Sequence, residues 1–208
     1  MARYIKAVCR LCRREAEKLF LKGTKCSGPK CPLAKRSYPP GQHGQLRQKL
    51  SNYGLQLREK QKVKRIYGVL EKQFRRYFRM ASKAKGVTGR VLLQILERRL
   101  DNVVYRLGLG TSRAQSRQLV RHNFIYINSK RVNIPSYLID EGDVIEVKLK
   151  ENVLNKIREN IELSKDRIVP GWLEFDPKQL KAKVLRLPQK EDIPADIKEQ
   201  LIVELYSK

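Results

Sequence analysis

All four cysteines of this chain lie within its first 31 residues, in two closely spaced pairs. Two residues separate Cys9 from Cys12, and four separate Cys26 from Cys31. Two such pairs can place four thiolates at the corners of a tetrahedron, the usual geometry of a structural zinc site. The spacing therefore predicts one zinc ion held by Cys9, Cys12, Cys26 and Cys31. An iron–sulfur cluster stays open as the alternative, because four thiolates also bind such clusters.

Two other chemistries of these cysteines are less favoured. A catalytic zinc keeps one coordination position for water, and four cysteines would fill every position. Structural disulfides belong to oxidising compartments, and the N-terminus carries no apolar signal segment, so we expect a cytoplasmic protein. The residues around the cysteines are basic and have little apolar content. The metal is therefore expected to organise a small basic knuckle that could not fold without it.

An extended segment follows the cysteines and reads Arg36-Ser37-Tyr38-Pro39-Pro40-Gly41-Gln42-His43-Gly44. Its prolines and glycines exclude a helix or a central strand. Arg36, Tyr38 and His43 offer a cation and two rings that can track a phosphate backbone and lie against ribose or base. A plain linker is the alternative. His43 as a metal ligand is disfavoured because four thiolates already complete a site.

Positive charge is concentrated in the first half of the chain. Residues 1–100 hold 27 Lys or Arg against 5 Asp or Glu, which accounts for +22 of the total net charge of +25. Solubility of a small domain needs a net charge of only about 2 to 8. A dense polyanion relieves the self-repulsion when the cations displace its counterions, so the charge predicts nucleic-acid binding. The candidate RNA contacts here are Arg3, Arg10, Arg13, Arg14, Arg36, Tyr38, Gln42, His43, Arg47, Lys49, Arg58, Lys60 and Lys62.

The composition argues against two other classes of protein. The longest apolar run is far shorter than the roughly 18 residues of a membrane span, so no membrane association is expected. With two histidines and no glycine-rich phosphate loop, the chain offers little to catalysis, and we expect no small-molecule substrate.

Periodicity and turn residues predict the elements that must position the basic residues. Helices are expected over 51–67, started by Ser51, and over 71–83, followed by a connector at 83–89. A longer helical pattern from residue 89 ends at Gly108. Ser112 and Gln115 form a predicted capping box that opens another helix, on which Arg113, Arg117 and Arg121 recur every four residues. Strands are expected at 124–127, 131–134 and 144–149, with a turn at Asn128-Ser129. Further along, Trp172 is expected in a core with Val184, Leu185 and Leu187.

Several motifs resemble a known family. The run from Arg99 to Gly108, Ser112-Arg113-Ala114-Gln115, Gln118-Leu119-Val120, Asn128 and Gly142-Asp143 resemble the RNA-binding module named after small-subunit ribosomal protein four. The segment 38–44, Leu57 to Lys62 and the tail Glu199 to Ser207 look like the full-length bacterial protein, and the cysteines look like its metal-binding branch. One departure is Ser129, where the family more often has glycine.

The resemblance implies a fold and a function that composition cannot supply. The expected fold class is α+β: an N-terminal cysteine-rich metal knuckle and a helical domain, with an inserted α/β RNA-binding module of two helices and a small, mainly antiparallel sheet. Expected boundaries are 1–45 for the knuckle and the extended segment, 46–87 with 181–208 for the helical domain, and 88–180 for the module. Further RNA contacts are expected at Arg113, Gln115, Arg117, Gln118 and Arg121.

The resemblance also implies partners. They are a multi-helix junction in the 5′ domain of small-subunit ribosomal RNA, bound early in assembly, messenger RNA at the channel through which it enters, and ribosomal protein five. Residues 151–208 hold 11 basic and 11 acidic groups, so part of this surface is expected to face protein. The expected interface residues are Glu199, Gln200, Glu204 and Tyr206, with a role in translational accuracy. Family members commonly also repress their own messenger.

Two other functions fit parts of the sequence less well. Arg99-Leu100-Asp101 matches the motif of pseudouridine synthases, which share the module, but no catalytic domain follows. We expect Asp101 to pair with a neighbouring arginine instead. A free-standing regulatory RNA-binding protein would share the module but would need neither the knuckle nor the tail.

Overall fold

A computed structural model describes residues 3–46, 49–148, 151–164, 167–193 and 196–207 of the chain, which divide into two units. One unit comprises Met1–Leu92 with Ala195–Lys208, and the other comprises Leu93–Pro194. The predicted module ended at residue 180, whereas the second unit runs to Pro194, because the strand that follows residue 180 lies inside its sheet. Among the described residues, none of the helices combines the length and the hydropathy that a membrane span requires.

The first unit is helical. Within the described residues its helices are α1 (Cys9–Glu15), α2 (Thr24–Ser27), α3 (Pro32–Lys35), α4 (Asn52–Ile66), α5 (Glu71–Lys83) and, at the end of the chain, α10 (Glu199–Tyr206). The predictions for α4 and α5 are confirmed. The Ser51 hydroxyl accepts a hydrogen bond from the Gly54 N–H at 3.2 Å and starts α4. Gly68 follows the end of α4 with φ +63°, a conformation that favours glycine.

Aromatic and aliphatic side chains from α4, α5 and α10 form the core of this unit. Val63, Phe74, Tyr77 and Ile202 are almost completely buried. The ring of Tyr206 stacks on Phe78 with centroids 4.4 Å apart. The last helix is therefore part of the helical core, although more than a hundred residues separate it from α5 along the chain.

The second unit packs helices against a sheet. Its elements are α6 (Thr88–Glu97, which begins in the first unit), α7 (Leu100–Arg106), α8 (Arg113–Arg121), β1 (Ile125–Ile127), β2 (Lys130–Arg131), β3 (Val144–Val147), α9 (Glu151–Glu162), β4 (Leu173–Asp176), β5 (Lys181–Val184) and a short 3₁₀ helix (Lys190–Asp192). In the described residues the strand order is β2-β1-β3-β5-β4, and every neighbouring pair is antiparallel. The predicted α+β class, with a small antiparallel sheet, is confirmed.

The sheet alternates between a core face and an outer face, as a half-buried sheet must. Ile145 lies opposite Ile127 on one side and Ala182 on the other, and all three side chains are buried. Trp172 is completely buried in the same core, as predicted. Leu185, which was expected beside it, is 48% exposed because it follows the end of β5.

Two sequence predictions in this unit were incomplete, and three elements were missed. The helical pattern from residue 89 breaks at Arg99, which is extended and bridges to Leu138, so α6 and α7 are separate helices. Of the predicted strand 131–134 only the first residue belongs to β2. Strands β4 and β5 and helix α9 were not predicted. Leu149, the end of another predicted strand, lies outside the described residues.

Candidate nucleic-acid interface

The arginines of α4 are neutralised by a glutamate of α1. The Glu15 side chain is only 3% exposed and accepts hydrogen bonds from Arg58, at 3.3 Å, and from Arg65. Burial raises the pKa of Glu15 above its ordinary value, although both arginines favour the charged form. The predicted RNA contact Arg58 therefore holds α1 against α4.

The lysines of α4 are also paired. Glu71, the first residue of α5, lies 2.6 Å from the Lys64 ammonium group and 3.2 Å from that of Lys60. The Lys62 ammonium group lies 2.8 Å from a carboxylate oxygen of Glu17. Most of the predicted basic surface of α4 is thus engaged inside the unit. Binding of RNA by Lys60 and Lys62 stays a prediction.

Helix α5 presents the opposite arrangement. Its five basic side chains are exposed, and none of them has a hydrogen bond or ion pair with another described residue; they are Lys72, Arg75, Arg76, Arg79 and Lys83. The predicted contacts did not include them, although their spacing of three, four, seven and eleven residues places them on one face of a helix. The sequence predicts Lys72, Arg75, Arg76 and Arg79 on the outward face of this helix, and the structure confirms that they are exposed. A role in binding RNA was not assigned to them.

Two predicted contacts hold the extended segment in place. The Arg13 side chain donates a hydrogen bond to the Tyr38 carbonyl at 3.0 Å, and its guanidinium lies 5.0 Å from the Tyr38 ring centroid. Arg14 donates to the Pro40 carbonyl at 3.2 Å. The segment is therefore fixed on α1 rather than being a plain linker.

Other predicted contacts of the first half are exposed and make no side-chain hydrogen bond or ion pair with the described residues. They are Arg3, Arg10, Arg36, Gln42, His43 and Lys49. Arg47 lies outside the described residues. Gln42 and His43 line a cavity of about 660 Å³, whose walls also include Arg14, Leu46 and Leu50.

The four cysteines lie near one another but do not form a closed cage. None is in a disulfide, and Cys12, Cys26 and Cys31 are buried. The Lys22 backbone N–H donates to the Cys26 sulfur at 3.2 Å. Burial raises the pKa of the Cys12 thiol, the neighbouring cysteines raise it further, and a backbone hydrogen bond at Leu19 opposes them. Within the described residues no three His, Cys, Asp or Glu side chains have the arrangement of a metal site.

In the second unit Asp101 is held between two arginines. The Asp101 Oδ2 atom lies 2.6 Å from a guanidinium nitrogen of Arg99 and 3.1 Å from one of Arg117. The side chains of Arg99 and Asp101 are buried, and that of Arg117 is mostly buried. The prediction that Asp101 pairs with a neighbouring arginine is confirmed. Arg113, Arg117 and Arg121, the arginine ladder predicted on α8, are therefore not equivalent, because the charge of Arg117 is shared with Asp101.

The other members of the ladder differ in their surroundings. The Arg113 side chain donates to the side-chain amide oxygen of Asn102 at 2.8 Å and lies over the Tyr105 ring, 4.4 Å from its centroid. Arg121 is exposed and has no ion pair in the described part of the chain. Gln118 is exposed on the same helix. The ladder thus offers one open cation and one guanidinium that is fixed in orientation.

The predicted capping box at the start of α8 forms only in part. The Ser112 hydroxyl accepts from the Gln115 N–H, as expected. The Gln115 side chain, however, accepts from the N–H of Thr111 at 2.8 Å instead of the N–H of Ser112. Gln115 therefore secures the loop before the helix, and RNA binding by Gln115 stays a prediction.

The predicted protein-interface residues of α10 mostly face their own unit. The Glu204 carboxylate accepts from Gln56 at 2.9 Å, and the Tyr206 hydroxyl donates to Glu71 at 2.8 Å. Glu199 lies against Gly89, where an added Cβ would meet its side chain at 2.7 Å. Gln200 is exposed.

These features define a basic RNA-binding protein with two units. Two family models match the chain: "Ribosomal protein S4/S9 N-terminal domain" over residues 3–97 and "S4 domain" over residues 98–145. The chain is 61% identical to small ribosomal subunit protein uS4 of Acetivibrio thermocellus, and 62% identical to the uS4 proteins of Ruminiclostridium cellulolyticum and Caldicellulosiruptor saccharolyticus. Each comparison spans 208 residues and 100% of both chains.

The chain belongs to the uS4 family of small ribosomal subunit proteins, as the resemblance in the sequence implied. The family is a structural component of the ribosome and not an enzyme family.

Proposed function

We propose that this protein binds a multi-helix junction in the 5′ domain of small-subunit ribosomal RNA and so nucleates assembly of the small subunit. The observation that carries the proposal is the distribution of paired and unpaired charge. The acidic residues of the helical unit pair with most cations of α4, whereas the basic side chains of α5 and those of Arg3, Arg10 and Arg36 are exposed and unpaired within the described residues. Phosphate oxygens are the ligands that such a surface binds best.

The test is binding of the full-length protein to a transcript of the 5′ domain across a range of salt concentrations. We expect affinity to fall steeply as salt rises, because several counterions are released on binding. The matched competitor is an RNA of equal length from another domain of the same ribosomal RNA. Equal affinity for the two transcripts would contradict recognition of a junction and leave only nonspecific binding.

We also propose that Cys9, Cys12, Cys26 and Cys31 hold one structural zinc. The donor set suits zinc, since the thiols are free and three of them are buried, and one sulfur already accepts a backbone hydrogen bond. When bound, the ion would supply a fixed charge and a cross-link between α1, α2 and the residue that precedes α3. An iron–sulfur cluster remains the alternative, because four cysteine thiolates also bind such clusters.

Metal analysis of the purified protein should give about one zinc per chain. Cys12→Ser should lower hydrogen-exchange protection across residues 9–35 and leave the second unit unchanged, because the metal is bound only by the first unit. A protein without metal, with four alkylatable thiols and unchanged protease resistance near Lys22, would contradict the proposal. Iron and labile sulfide in place of zinc would favour the cluster.

Two further contacts within the ribosome are proposed from the family resemblance. Arg47 and Lys49 line the path of incoming messenger RNA, where two cations could hold a single strand without reading its sequence. Crosslinking from position 49 in a loaded initiation complex tests this, and crosslinks to ribosomal RNA alone would contradict it. Repression of the protein's own messenger would use the same RNA-binding surface.

The tail is proposed to face ribosomal protein five and to influence translational accuracy. Its exposed residues, such as Gln200, are the ones available to a partner, because Glu204 and Tyr206 are engaged in their own unit. A misreading reporter combined with subunit profiling tests the role of Gln200→Glu. Normal fidelity and normal binding of the neighbouring protein would leave α10 with a structural role only.

A further inference from the structure

The outer face of α5 carries a continuous basic stripe, formed by Lys72, Arg75, Arg76, Arg79 and Lys83. At 100° per residue these positions lie within an arc of about 100°, and the rise of about 1.5 Å per residue makes the stripe about 16 Å long. The opposite face of α5 is anchored in the core by Phe74 and Tyr77, which are at most 2% exposed. The direction of the stripe is therefore fixed by packing.

The stripe has no counter-charge of its own. The described residues provide no ion pair or hydrogen bond to any of its five side chains, whereas the glutamate that begins α5 turns to Lys60 and Lys64 of α4. Like charges three and four residues apart destabilise a helix. A partner that supplies negative charge along the stripe would remove this repulsion.

The chemistry of the stripe distinguishes between kinds of nucleic acid. Three of its five cations are arginines, whose planar guanidinium groups bind phosphate oxygens in pairs. It includes no aromatic side chain on which an unpaired base could stack. Double-stranded RNA hides its bases and offers phosphates along its edge.

We propose that the α5 stripe binds the phosphate backbone of an RNA duplex and is a binding surface separate from the knuckle and from α8. The inference deepens the proposed function and rests on it. The stripe acts without reading sequence, so it positions the protein on the RNA while other surfaces provide specificity.

The test compares two triple variants of the full-length protein on the 5′-domain transcript. Arg75→Gln/Arg76→Gln/Arg79→Gln removes the centre of the stripe, and glutamine keeps a similar helix propensity. The control, Lys156→Gln/Arg158→Gln/Lys178→Gln, removes the same charge from exposed positions of the second unit. Circular dichroism and thermal melting verify that both variants fold, and the single variant Arg76→Gln serves if the triple variant does not.

We expect the stripe variant to reduce the salt slope of log K by about 0.7 to 0.9 for each phosphate that is no longer neutralised, hence by about 2 to 3 in total. It should also lose backbone protection over one duplex in hydroxyl-radical footprinting, while the control keeps both. A stripe variant with the slope and footprint of the control would overturn the inference, as would weaker binding to a neighbouring protein with unchanged RNA binding. Failure of the wild type to bind the transcript would instead reject the proposed function.

Discussion

At the scale of single residues, the turn between β1 and β2 carries strain that the sequence alone marks only weakly. Asn128 and Ser129 have φ angles of +48° and +66°. Asn128 tolerates this conformation because its side chain accepts from the Val144 N–H and donates to Asp143. Ser129 has no such side-chain bond among the described residues.

Replacing Ser129 with glycine should stabilise the second unit. The left-handed conformation costs a serine about 1 kcal/mol or more, and part of that gain is offset by the greater flexibility of glycine in the unfolded chain. We expect the free energy of unfolding to rise by about 0.5 kcal/mol in denaturant titrations. Ser129→Ala is the control and should not stabilise; an equal gain for alanine would show that the serine hydroxyl, not the backbone, is unfavourable.

Arg117 and Arg121 should respond differently to removal, although both belong to the same ladder. Arg121→Ala is expected to lower the salt slope of RNA binding by about 0.7 to 0.9, because that cation is open to solvent. Arg117→Ala should destabilise the second unit by about 1 kcal/mol through loss of a charged hydrogen bond to Asp101, with a smaller change in slope. Equal slope changes without a change in stability would show that Arg117 leaves Asp101 to bind phosphate.

At the scale of elements, Glu71 joins α4, α5 and α10. Partial burial alone would raise the pKa of Glu71, but hydrogen bonds from Lys64, Tyr206 and Lys60 outweigh it and lower the pKa to about 2. Burial and the same hydrogen bond raise the pKa of the Tyr206 phenol. Because the acid's pKa is depressed on folding, its contribution to stability is present above about pH 4.5 and is lost as the pH falls through about 2.

Glu71→Gln should therefore flatten the pH dependence of stability between about pH 5 and pH 2. Hydrogen exchange of the α4 and α10 amides measures the stability of the first unit at each pH. A local measurement is needed because acidic groups of the second unit are protonated over the same pH range. Glu162→Gln is the matched control, because it removes an exposed carboxylate that has no ion pair in the described part of the chain. Identical pH profiles for the two variants would mean that the network at Glu71 adds nothing to stability.

At the scale of the whole molecule, the two units should differ in their dependence on the C-terminus. Removing residues 199–208 deletes Ile202 and Tyr206 from the core of the first unit. Loss of those side chains should cost several kcal/mol, since a single large apolar side chain contributes about 2 to 5. Amides of α4 and α5 should lose protection from hydrogen exchange, while those of β1 and β3 keep it.

A milder variant separates packing from function. Tyr206→Phe keeps the stacked ring and removes only the hydroxyl, so it should cost about 1 kcal/mol. For the variant that lacks residues 199–208, unchanged hydrogen-exchange protection of the α4 amides would contradict the prediction. The tail would then be free for a partner instead of completing the core.

The sequence by itself determined much of this molecule. Periodicity and caps predicted α4 and α5, because Ser51, Gly68 and the apolar spacing act locally. Motifs between Arg99 and Asp143 carried the family likeness that the comparisons confirm. The pairing of Asp101 with an arginine was also predictable, since Arg99 is only two residues away. Strands β4 and β5 were missed because each has only four residues and gains its stability from neighbours in the sheet. The zinc site stays a prediction.

Only the tertiary structure decided which cations are available to RNA. Helices α4 and α5 have similar basic sequences, and nothing local separates Arg58 from Arg75. Packing brings Glu15 of α1 against the arginines of α4 and turns Glu71 toward its lysines, so the few acidic residues neutralise one helix and leave the other exposed. The same packing placed Tyr206 in the core. Charge is a property of composition, but an ion pair needs two groups within a few ångströms, and that distance is set by the fold.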